Sequence, residues 1–192
     1  RYVPPANTTT VGDGTNPGNA TIAPGAAVTP LDTFTLQTSA GTDTVTAATV
    51  TLAAGSSAAL LRVGIWSGAA CTGTEYGFAA NPAGDAVAIT LTTNITATTT
   101  LTSYYACVTP KTRANMPAVP VSSYAVTGTI TAITSTNTKV YSDSGSATVT
   151  IDNLSPANAT AFSGTPGNTQ VALNWTNPAD ADYAQAVVLR RA

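Results

Sequence analysis

The chain has 192 residues, 43% of them hydrophobic and only 8% charged, with no histidine and a formal net charge of −2. That is enough apolar material for a folded core, which excludes wholesale disorder. Seven basic side chains set against nine acidic ones give no basic patch for nucleic acid, and no apolar run nears the roughly 20 residues of a membrane-spanning helix.

Residues 1–25 are punctuated by Pro4, Pro5, Gly12, Gly14, Pro17, Gly18, Pro24 and Gly25. This spacing forbids a helix and permits only short extended pieces such as 19–23. The segment is expected to be an extended docking or donor tail, with Val3, Val11 and Ile22 as its apolar anchors. Its removal is then expected to abolish assembly and leave the following domain folded.

From Leu31 onward the strand signals become regular. Thr33–Gln37 alternates, 44–46 leads into Thr49–Leu52, and 59–66 precedes a Gly-rich turn around Gly68 and Gly73. Residues 86–91 carry Val87, Ile89 and Leu91 on one face; 103–108, 124–130 and 147–151 complete the set. β-Branched residues at period two, broken by Gly, Pro, Asn and Asp, predict an all-β antiparallel sandwich over 26–152. Cys71 and Cys107 have no companion His or Cys for a metal site. A disulfide between them suits the polar, Lys-poor surface, and two reduced core thiols are the alternative.

Residues 152–156 form a turn and linker, beyond which Val171–Thr176 and 178–183 frame Trp175 and Pro178. This stretch resembles the opening of a fibronectin type III domain, and residues 153–192 are read as the start of one. The resemblance implies that Trp175 fills a core and that 186–190 is a third strand. It also implies further strands, supplied by continuing chain or by another chain. The stretches 14–21, 34–38 and 145–152 make the first domain similar to the immunoglobulin-like repeat modules of large secreted bacterial surface proteins. Such modules serve as spacers, stalks and filament parts.

Chemistry-bearing groups are sparse. Glu75 is the sole glutamate and the aspartates are scattered over turns and strand ends. Without histidine, no hydroxyl nucleophile has the usual base, so no catalytic residue, metal ligand or cofactor is assigned. Asp13 and the pair Asp180 and Asp182 are the only hints of calcium ligands. Lys111 and Lys139 read as solvated lysines rather than cross-linking groups. The expectation is a structural, non-catalytic extracellular module of a bacterial surface filament, stalk or adhesin, whose partners are copies of itself or neighbouring modules. The alternative is a carbohydrate- or host-surface-binding module, with Tyr76 and Phe78 as the rings that stack on a ligand and Trp66 and Tyr104 buried.

Overall fold

The computed structural model describes residues 6–117, 123–180 and 183–189. Fourteen strands run in chain order: β1 Thr8–Asp13, β2 Ala20–Ile22, β3 Thr29–Thr38, β4 Asp43–Leu52, β5 Leu60–Gly68, β6 Thr72–Ala80 and β7 Ala86–Ala97. They continue with β8 Thr102–Pro110, β9 Ser123–Val126, β10 Gly128–Thr134, β11 Thr138–Ser142, β12 Val149–Asp152, β13 Thr160–Gly167 and β14 Gln170–Thr176. Helix among the described residues is confined to short 3₁₀ turns. The protein is all-β, as the alternating pattern predicts.

Two units form, Arg1–Asn153 and Leu154–Ala192. In the larger one, a six-stranded sheet has the order β11-β1-β3-β8-β5-β6, accompanied by three-stranded sheets β10-β4-β7 and β2-β12-β9. Their inward residues share one core that includes Leu31, Phe34, Leu36, Val50, Ile65, Ile89, Ile95 and Ile130. Most pairings are antiparallel, but β1 runs parallel to β11 and β2 parallel to β12.

Strand β4 shows how the threonine-rich pattern folds. Thr44, Thr46 and Thr51 face out while Val45, Val50 and Leu52 are buried. Strict alternation would put odd-numbered and even-numbered residues on opposite faces. A bulge between Val45 and Ala47 in the pairing with β7 resets the phase, so Val45, Ala48, Val50 and Leu52 all reach the core.

The run 124–130 is two strands rather than one. β9 pairs with β12 and β10 pairs with β4, so the chain changes sheets at Thr127. Gly128 allows this change. A Cβ there would lie 2.9 Å from the Thr51 carbonyl oxygen and 2.8 Å from a Leu52 methyl, so only glycine fits without displacement.

The segment read from sequence as a tail departs most from expectation. β1 lies inside the six-stranded sheet, with β11 on one side and β3 on the other. β2 pairs with β12. Both therefore belong to the larger unit, and its folded body begins before residue 26. The physical reason is that a strand enclosed on both sides satisfies its main-chain hydrogen bonds through neighbours, so it needs few apolar side chains of its own.

The smaller unit contains one hairpin, β13–β14. Residues 184–189 carry no strand, contrary to the third strand that the fibronectin resemblance implies. Trp175 does not fill a core either; it is 37% exposed and its indole N–H donates to Asn177 Oδ1 at 2.8 Å. A hairpin offers no second layer on which such a ring can close.

Candidate functional site

The proposed tail anchors fall in different settings. Val3 lies outside the described residues. Val11 is fully buried in the core of the larger unit, and Ile22 is half-buried against the same core. β1 is fastened further by Asp43, the first residue of β4. Its carboxylate accepts the Thr9 hydroxyl at 2.6 Å, the Thr136 main-chain N–H at 3.0 Å and the Thr136 hydroxyl at 2.8 Å. Asn137 Nδ2 also donates to Thr9 Oγ1, at 3.1 Å. Burial opposes the charged form of Asp43, but these hydrogen bonds, the Thr9 hydroxyl foremost, outweigh it and hold the carboxyl well below the usual range.

Tyr76 and Phe78 do not form a matched pair of exposed rings. Tyr76 packs against the core and meets Tyr104 edge-on, with centroids 5.7 Å apart. Tyr104 is itself buried against Phe34. Phe78 is 47% exposed, and the Arg62 guanidinium lies over its ring at 3.7 Å, held by an ion pair with Glu75. One face of that ring is thus already occupied by a cation. Trp66 is half-buried rather than buried.

Cys71 and Cys107 form a disulfide. Cys107 is on β8, at the register of Gly64 on β5 and Pro30 on β3. Cys71 ends a turn in which both it and Ala70 have left-handed backbones, φ 58° and 55°. The bridge spans 36 residues, β6 and β7 included. A Cys71→Ser/Cys107→Ser double variant is therefore expected to lose about 3–4 kcal/mol of stability, read from urea unfolding midpoints. The bridge is compatible with an oxidising extracellular setting.

Acidic groups gather at a place that spacing along the chain does not reveal. Asp32 of β3, Asp143 just after β11 and Asp13 at the end of β1 come from neighbouring strands of one sheet. Asp32 is fully buried and neither of its carboxylate oxygens has a hydrogen-bond partner. Burial, reinforced by the charge of Asp143, pushes it up to about 8. Asp143 is also raised by burial; its Oδ2 accepts the Ile130 N–H at 2.7 Å, and its Oδ1 is buried without a partner.

Of the other calcium hints, Asp182 lies outside the described residues, and Asp180 Oδ2 accepts the Ala157 N–H at 2.9 Å. Lys111 donates to the Ala58 carbonyl at 2.9 Å and Lys139 to the Ser135 carbonyl at 2.7 Å. Comparison with family models, curated proteins and solved structures returned no match to this chain. Its function must be read from its surfaces. Two of these are apolar and exposed. On the hairpin, Phe162 is 67% exposed and Val171 61%, with Leu173 and Trp175 also exposed, though less so. On β11, an edge of the six-stranded sheet, Val140 and Tyr141 are exposed as well. Among the described residues no helix is long and apolar enough to cross a membrane.

Proposed function

We propose that this chain is a structural, non-catalytic extracellular module of a bacterial surface filament, stalk or adhesin, with an immunoglobulin-like sandwich followed by an incomplete fibronectin type III-like one, and joined to copies of itself through sheet edges. The observation that carries this reading is the β13–β14 hairpin with Phe162, Val171, Leu173 and Trp175 exposed. A lone hairpin is marginal in water, and a cluster of exposed apolar side chains marks an interaction surface. Pairing with another strand or sheet face satisfies both the open main-chain edge and the apolar side chains at once. The edge strand β11, with exposed Val140 and Tyr141, offers a second place of the same kind.

The test is sedimentation velocity on the full chain over a range of concentrations. The wild-type chain is expected to show concentration-dependent species larger than a monomer. A Phe162→Ser/Trp175→Ser double variant is expected to sediment as a monomer, with the thermal transition of the larger unit unchanged. Monomeric wild-type protein at every concentration would reject the reading.

A further inference from the structure

We propose that the Asp32 and Asp143 carboxylates form a calcium site in the larger unit, with Asp13 drawing the ion in at its mouth. The site begins with a bulge. Between Pro30 and Asp32 the pairing of β3 with β8 slips by one residue, and Leu31 and Asp32 are both fully buried. Bulges re-aim side chains in this way and recur beside functional sites. The re-aimed side chain here is a carboxylate with no donor on either oxygen.

A buried carboxylate without a partner is costly, and its neighbours normally include a cation or several N–H groups. The charges acting most strongly on Asp32 are instead Asp143 and Asp13, both negative. Asp143 keeps its own Oδ1 orphaned while Oδ2 is held by the Ile130 N–H. Asp32 Oδ1 and Oδ2 and Asp143 Oδ1 thus lack an outside donor, the two carboxyl groups interact directly with each other, and a cation is what their chemistry lacks. Close main-chain packing fixes the end of β1 against β3. Gly14 donates its N–H to the Thr33 carbonyl at 2.8 Å, and a Cβ at Gly14 would meet that oxygen at 2.6 Å. This brings Asp13 beside the strand that carries Asp32, and Asp13 is exposed to solvent, where Ser144 Oγ donates to its Oδ2 at 3.5 Å.

Among the described residues no three His, Cys, Asp or Glu side chains make a ready metal cage. Two carboxylates therefore bind the ion directly, and water and main-chain oxygens complete the shell. All-oxygen, irregular coordination suits calcium, whereas magnesium demands near-octahedral geometry and gives up its water reluctantly. Because the ligands come from β3 and the segment after β11, binding ties that segment to the sheet. The site draws on no residue of the β13–β14 hairpin.

The experiment is thermal unfolding of the full chain with EDTA, with about 10 mM calcium chloride, and with magnesium at equal ionic strength. For a site of the 10⁻⁴–10⁻³ M class found in extracellular modules, calcium is expected to raise the midpoint by about 5 °C and magnesium by much less. Asp32→Asn and Asp143→Asn are each expected to remove the calcium shift while still unfolding cooperatively in EDTA, and Asp180→Asn is expected to keep it. Calcium without effect on the wild-type chain, together with a higher midpoint for Asp32→Asn, identifies a carboxyl pair sharing a proton and overturns the site. A calcium shift that survives both Asp32→Asn and Asp143→Asn overturns it equally.

Discussion

Removal of residues 1–25 is expected to abolish cooperative folding of the larger unit. β1 is an interior strand, so its loss strips the main-chain partners from one side of β3 and one side of β11. β11 is then left with no strand beside it, since β1 is its only neighbour in the six-stranded sheet. Val11 vacates a fully buried position. Burying a valine contributes on the order of 1.5–3 kcal/mol, and the cavity it leaves adds to the loss. The deletion also removes the Asn16 carboxamide that accepts the Thr33 N–H at 3.2 Å, and the Asn19 carboxamide that accepts the Thr148 N–H at 2.8 Å. With domain stabilities of roughly 5–15 kcal/mol, the combined loss leaves no folded margin. Near-UV circular dichroism and urea unfolding of the truncated chain check this: no cooperative transition is expected. A peptide of residues 6–25 added in trans should restore one, because the gap it fills is a strand-shaped slot with both edges open. A truncated chain that unfolds within a few degrees of wild type would show that β1 is dispensable.

Substitution of Asp43 by alanine is expected to cost about 3–4 kcal/mol. Asp43 is almost completely buried, and it joins β4 to β1 through Thr9 and to the β10–β11 connection through Thr136. Alanine leaves the fully buried Thr9 hydroxyl without its acceptor, and an unsatisfied buried donor costs more than the hydrogen bond contributes when made; the exposed Thr136 loses two further hydrogen bonds to the carboxylate. Asparagine keeps the shape and one acceptor oxygen, so Asp43→Asn is expected to lose about half as much. The pH dependence follows the direction of the shift. The folded carboxyl is held below its unfolded value near 4, so its contribution is complete above about pH 4. It declines as pH falls below that value towards the folded one. Wild type and Asp43→Ala should therefore converge in stability on acidification. Urea unfolding at pH 7 and at pH 3 measures both effects, and equal losses at the two pH values would contradict the assigned role.

The legible and the illegible parts of this chain differ for a physical reason. The run Ala86–Leu91 reads as a strand because one side of it is buried, which forces apolar and polar residues to alternate; Thr33–Gln37 alternates in the same way, although there Thr33 and Thr35 are buried along with Phe34 and Leu36. The disulfide was open to reading because only two cysteines exist and no histidine accompanies them. β1 is different. Thr8–Asp13 has a single large apolar residue and a glycine, and its place in the sheet is secured by main-chain pairing and by Asp43, neither of which leaves a periodic trace. β11 hides in the same way, since none of its side chains is fully buried. β6 has its pattern broken by Gly73 and Gly77. The carboxylate cluster is the least legible feature. Asp13, Asp32 and Asp143 are far apart in sequence, and only the bulge at Leu31 and the parallel pairing of β1 with β11 bring them to one end of the sheet. Trp175 shows the reverse case. It stands in the sequence setting of a core tryptophan, yet a core position needs a second layer, and the hairpin alone supplies none.

Exposed apolar strands are the centre of the proposed role, and electron microscopy of the full chain at high concentration examines them most directly. Regular fibres or stacked particles in which this chain repeats, with β13–β14 at the junction between copies, are the predicted outcome. A dispersed population of single particles at every concentration, with Phe162 and Trp175 still open to water, would contradict it.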